Sequence, residues 1–171
     1  MCQLLKITRN VCIWIITVYP MLSGTGSEVV HSAAKEEPKP LTVVQAIKLA
    51  AFNEGLDANL MLAIAKVESN LDPEARGALD DTGLFQLRKR FHGEGASTDA
   101  YTNSVTAARY LKWLKKRPKC AEYGAAWYVC FNTGPNSIPL DNPTTFSYYK
   151  KVQQALLSVE EASQTADNAD L

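Results

Sequence analysis

Apolar residues in this chain gather into stretches with helical spacing, separated by runs rich in glycine, proline and acids. The segment VVQAIKLAAFNEG, residues 43–55, has a cap candidate in Thr42 before it and a stop in Gly55. Asp57 can cap a second helix, ANLMLAIAKVES, with Leu56 and Met61 placed as a hydrophobic staple. The pair Asp72-Pro73 opposes continuation, so this helix should end soon after Ser69. Between about 98 and 117, Tyr101, Val105, Ala108, Leu111 and Leu114 mark one apolar face, with Arg109, Lys112 and Lys116 off it. A fourth helix is expected over about 122–131, and a fifth contains FSYYKKVQQALLSV. No stretch alternates as a strand should, and no internal repeat is present. The pattern therefore predicts one mainly α domain over residues 41–157. Within it, residues 71–97 read as a loop with short helical pieces, and a loop of that length in a compact domain is usually functional or mobile.

The second helix poses a chemical question. The residues three, four, seven and eight positions before Glu68 share its face, and they are Ala65, Ile64, Met61 and Leu60. Lys66 lies two positions away and points to the opposite side, so it cannot neutralise Glu68 along the helix. An apolar face, the absence of a local cation and the negative end of the helix dipole all favour the protonated carboxyl. Such a group suits general acid chemistry, above all protonation of a departing glycosidic oxygen. An exposed last-turn carboxylate is the plainer reading of the same segment.

Composition narrows the classes. The 171 residues, 46% hydrophobic and 21% charged, suit one globular domain, and 18 basic residues match 18 acidic ones. There is no basic surplus of the kind that draws a protein onto nucleic acid. Lys6 and Arg9 precede the apolar run VCIWIITVYPML, and small residues follow it, which predicts a secretory signal over 1–26, with cleavage between 26 and 34. The run falls short of the ~20 residues that span a bilayer, so contact with a membrane would come only through an uncleaved signal. Residues 27–40, with two prolines, read as a linker, and 158–171, with four acids and no base, as a disordered acidic tail. His31 and His92 stand far apart and no cysteine pair has zinc-ligand spacing, so no metal or cofactor is expected.

An exported mature chain would keep Cys120 and Cys130 in a compartment that permits disulfides. In one straight helix their Cα atoms would be ~15 Å apart, whereas a bridge allows at most ~7 Å. Either the helix starts later, near Gly124, and the preceding turn folds back, or the two thiols are separate.

Fifteen residues after Glu68 comes GLFQL, then CFNTGP from Cys130 and YYKKV from Tyr148. With VESNLDPEA and NSVTAARYLKWL, this ordered set resembles the soluble lytic transglycosylases of the goose-lysozyme-like type, which cut the glycan strands of peptidoglycan. The resemblance covers about residues 42–157 and implies a lysozyme-like helical domain with a substrate cleft. It implies Glu68 as catalytic acid and later base, with Ser69 orienting it or the substrate. Gln86 would bond a sugar, Phe85 would line the cleft, and Asn132 and Tyr148 would border the reacting sugar. The chain departs from the family pattern at Phe131, where Tyr is usual, at Gly77 and Asp80-Asp81 before GLFQ, and at LRKRFHG after it.

The resemblance also implies a reaction without water, in which the substrate's acetamido group stabilises the cation and a 1,6-anhydro end is formed. Asp80, Asp81 and Glu94 keep open a hydrolytic muramidase with one of them positioning water. A third reading is a catalytically weak glycan-binding subunit of an envelope-spanning or phage machine. The implied partners are peptidoglycan strands, with a secretion, conjugation or phage assembly open as the setting, in the periplasm or outside the cell.

Overall fold

The computed structural model describes residues 39–136 and 139–169. The expected signal and most of the linker lie outside the described residues. Helix α1, Val43–Glu54, opens with a capping box in which the Thr42 hydroxyl accepts from Gln45 N–H while the Gln45 side chain accepts from Thr42 N–H. It closes at Gly55 with a left-handed φ of 69°. Helix α2, Ala58–Ser69, is capped by Asp57, whose carboxylate accepts from Asn59 and Leu60 N–H. Met61, Leu62, Ala63, Ile64 and Ala65 are consecutive and all buried, so this helix is enclosed on every side rather than amphipathic. Each large apolar side chain enclosed there contributes roughly 2 kcal/mol.

Two short strands follow, β1 at Asp81–Thr82 and β2 at Leu87–Arg88, paired antiparallel with Asp81 opposite Arg88. They correct the reading of 71–97 as loop and short helix only; two-residue strands are too brief for an alternating pattern to register. A short helix α3, Lys89–His92, and a 3-10 turn at Gly93–Gly95 complete the segment. Helix α4, Ala100–Lys115, is capped by Asp99 and lies along α1, while α2 lies along the last helix.

The expected single helix over 122–131 is not formed. The chain instead makes α5, Pro118–Ala121, a 3-10 stretch at Gly124–Val129 and α6, Cys130–Thr133. Gly124, at a φ of +54°, supplies the break. The turn folds back, the Cα atoms of Cys120 and Cys130 come to 6.0 Å, and the two sulfurs are bonded. Both half-cystines are buried beside Leu114 in a small second core.

Helix α7, Pro143–Ala169, is the longest among the described residues. It corrects the expectation of a disordered tail from 158, since the described part of that segment is helical. Ser158, whose hydroxyl accepts from the Lys66 ammonium at 2.9 Å, and Val159, packed on the core, hold the first turn beyond 157.

The bridge should contribute ~2–3 kcal/mol through its ten-residue loop. Unfolding free energies from denaturant titration with and without reductant should differ by that amount, and protein purified from an oxidising compartment without residues 1–26, hence without Cys2 and Cys12, should titrate no free thiol after denaturation. Two free thiols in that protein would contradict the structure.

Candidate active site

Glu68 is the penultimate residue of α2, just past the enclosed stretch, and it is half-buried. The helix ends abruptly because Asn70 and Leu71 both adopt left-handed conformations, at φ 55° and 64°. For a residue as bulky as leucine that geometry is strained and must be held by its surroundings. The Ser69 hydroxyl provides one hold. It lies 3.1 Å from Ala65 O and 2.9 Å from Leu84 O, donating its single hydrogen between them, and so ties the end of α2 to the GLFQ segment. Ser69 thus positions the backbone around Glu68.

The carboxyl finds its partner across the fold. Tyr148, on α7, donates its hydroxyl to Glu68 Oε1 at 2.8 Å. Burial pushes the Glu68 pKa up to about 7, opposed by the Tyr148 hydrogen bond, reinforced by the charge of Asp81 and opposed by that of Lys151. Burial and the neighbouring Glu68 charge hold the Tyr148 phenol well above its ordinary value, so it remains a donor. Lys66, as its helical position implied, is turned away to Ser158.

The GLFQ loop sits on α4 through Asn103, a residue with no solvent exposure. Its Oδ1 accepts from Phe85 N–H at 2.9 Å, and its Nδ2 donates to Thr82 O and Ser97 O at 3.0 and 2.9 Å. Sequence reasoning missed it, although a signal existed: Asn103 stands four positions before Ala107 and eight before Leu111, on the buried face of α4. Asp81 on β1 accepts from Arg88 Nε at 2.7 Å. Gly77 packs against this pair's loop so closely that a Cβ there would lie 2.7 Å from Asp81 Cβ and 2.8 Å from Gln86 Oε1.

Not every expected site residue faces open space. Phe85 has no exposure and meets Phe131 edge-on, with ring centroids 6.3 Å apart. The expectation that it lines the cleft is corrected: its apolar ring completes the core beneath the site. Gln86, strained at a φ of 46°, donates from Nε2 to Gly83 O and Ala75 O, so its amide hydrogens brace the loop. Asn132 is exposed and shares with Tyr148 and Lys151 the lining of a pocket of about 350 Å³. A larger apolar groove, about 770 Å³, lies around the other side of α7 against Tyr123, Phe146 and Tyr149 and does not include Glu68. Glu94 is exposed and paired with Lys89, and Asp80 is exposed, so of the three alternative acids only Asp81 acts electrostatically on Glu68. Among the described residues no three His, Cys, Asp or Glu side chains stand together as metal ligands.

The arrangement can hold a proton on Glu68 near neutrality and stabilise its conjugate base through Tyr148. Comparison with protein families matches the model described as "Transglycosylase SLT domain" to residues 45–151. That span is more than half of the 171-residue chain and includes Glu68, the GLFQ loop, Asn132 and Tyr148. That domain is a lysozyme-like all-α fold, and the described residues here are mainly helical with one two-stranded sheet. Comparison with curated proteins gives no match.

Asn103→Ala should strand three backbone groups and cost roughly 3 kcal/mol or more. A urea midpoint within experimental error of wild type would remove Asn103 from this role. Glu68 gives a pH signature. Between 4.5 and about 7 the unfolded chain has lost the proton that the folded chain keeps, so stability falls as pH rises through that window. The total loss is about 3 kcal/mol. Glu68→Gln should accordingly gain on wild type in urea unfolding from pH 4.5 to 8, and an equal gap at both ends would show that the carboxyl is not held protonated.

Proposed function

We propose that this chain, which belongs to the transglycosylase SLT domain family, is a peptidoglycan lytic transglycosylase of the soluble, goose-lysozyme-like type. The reading is that it cuts the β-1,4 bond between N-acetylmuramic acid and N-acetylglucosamine, with Glu68 as acid and then base. The observation that carries it is a half-buried carboxyl, with a pKa of about 7, hydrogen-bonded by Tyr148.

In the first step protonated Glu68 gives its proton to the glycosidic oxygen as the bond to C1 breaks. The acetamido oxygen of the muramic sugar closes onto C1, and N-acetylglucosamine leaves with a free 4-hydroxyl. Glu68 is now a carboxylate, stabilised by the Tyr148 hydroxyl. In the second step it takes the proton of the C6 hydroxyl while O6 attacks C1 and the acetamido oxygen departs. The product carries a 1,6-anhydro end and Glu68 regains its proton. Neutral Glu68 is needed at the start, so turnover should fall as pH rises through about 7.

Around this centre Ser69 and Gln86 act as supports of the loop, and Asn132 borders the sugar from the pocket wall. A substrate of this kind lies outside the cytoplasm, which supports an N-terminal signal over 1–26 and a periplasmic or secreted protein. Among the described residues no helix is long and apolar enough to cross a membrane.

Asp81 supports a second reading, a muramidase in which it positions water, because its charge reaches Glu68. Its engagement by Arg88 argues for the non-hydrolytic course. A glycan-binding subunit has no use for a carboxyl held protonated, which weighs against that third reading.

Glu68→Gln should lose ~100-fold or more of wall-cleaving rate while keeping glycan affinity. Mass spectrometry of fragments released from purified peptidoglycan by the wild-type chain should find anhydro ends. Reducing ends would move the assignment to the muramidase, and a Glu68→Gln variant that still cleaves at a rate close to wild type would point to another acid.

A further inference from the structure

Lys151 stands three residues after Tyr148 on α7, close to one turn along the same side of the helix. Together with Asn132, Pro143, Thr144, Ser147 and Tyr148 it lines the pocket of about 350 Å³, which does not itself include Glu68 but shares with it the Tyr148 side chain. That lining contains one cation, two aliphatic hydroxyls, a phenol and an amide, and no carboxylate. Lys151 is exposed and forms no ion pair among the described residues. Its neighbours in charge are occupied elsewhere, Lys150 over the Phe146 ring and Lys66 with Ser158.

The Tyr148 hydrogen is given to Glu68, which leaves a lone ammonium beside the Thr144 and Ser147 hydroxyls and the Asn132 amide, and such a set selects for an anion that can accept several hydrogen bonds at once. On the proposed substrate the neutral sugar hydroxyls and acetamides cannot provide this. The lactyl ether of muramic acid, or the peptide attached to it, provides a carboxylate close to the scissile bond. We propose that this pocket takes that carboxylate, with Lys151 as the cation that recognises it. The proposal rests on the glycan reading above and adds to it a basis for preferring muramic strands over neutral glycans. It also gives the cation a use. The charge of Lys151 lowers the proton affinity of Glu68, and a bound carboxylate offsets that charge, so filling the pocket favours the protonated acid.

Calorimetry on the full chain can test this with disaccharides of N-acetylglucosamine and N-acetylmuramic acid that lack the scissile linkage. One carries a free lactyl carboxylate, one its methylamide, and one an L-alanyl-D-glutamate stem; chitobiose is the neutral control. At least one of the two carboxylate-bearing forms, free lactyl or stem, should bind about tenfold more tightly than the methylamide. Lys151→Met should erase that preference and Lys151→Arg should keep it. A preference shown by the stem-bearing form alone places the recognised carboxylate on the peptide, and one shown by the free lactyl form places it on the sugar. Equal affinities for all three muramic forms, or a preference that survives in Lys151→Met, would overturn the proposal while chitobiose binding leaves the glycan reading standing. No binding by any of the four sugars would remove both.

Discussion

A carboxyl group kept half-dry at the end of a helix is the constraint on which the site depends. Water would hold Glu68 ionised, and full enclosure would leave it out of reach of substrate. The chain meets both demands by burying α2 on all sides from Met61 to Ala65 and ending it within one more turn. An ending this sharp requires two consecutive left-handed residues, one of them leucine. Local strain of that kind persists only where neighbouring structure over-determines it. The Ser69 hydroxyl and the Leu84 carbonyl contribute to that hold.

The same requirement reaches the GLFQ loop. Phe85 fills the core, Gln86 takes a strained φ and commits its amide hydrogens to the loop, and Asn103 secures the backbone from below. Residues that resemble sugar contacts by type are here partly the scaffold that makes contact possible. On the opposite wall the Cys120–Cys130 bridge fixes the backbone just before Phe131 and Asn132, and Phe131 rests on Phe85. The two segments thus meet edge-on through this aromatic pair, and both also rest on α4, the GLFQ loop through Asn103 and Phe131 through Tyr110.

What could be read in the sequence follows the range of the interactions. Caps at Thr42 and Asp57 act within three residues, and the helices they start are visible in the chain, whereas the cap at Asp99 was not read from it. Glu68 was legible because its own helix face was apolar and Lys66 was on the wrong side. The bridge was legible only as a condition, that a break at Gly124 bring the cysteines together, and the break is there. The mainly α class followed from these local signals. The two-residue strands, the buried position of Phe85 and the helical residues beyond 157 arise from contacts between distant segments, which local pattern does not carry.

The proton affinity of Glu68 shows why such a site is only half legible. Its largest cause, burial, could be anticipated from four residues of one helix face. The three corrections come from Tyr148, Asp81 and Lys151, which are 80, 13 and 83 positions away in the chain. They act in opposing directions: Tyr148 and Lys151 favour the ionised form, and Asp81 disfavours it. In the proposed role Glu68 first gives and then recovers a proton, and such a group works best when neither form is strongly preferred near the working pH. Burial alone would make Glu68 a poor donor, and α7 offsets that by placing both a hydroxyl and a cation nearby. In this chain the helix carrying the acid and the helix tuning it are different elements packed along each other, so the tuning is a property of the folded domain.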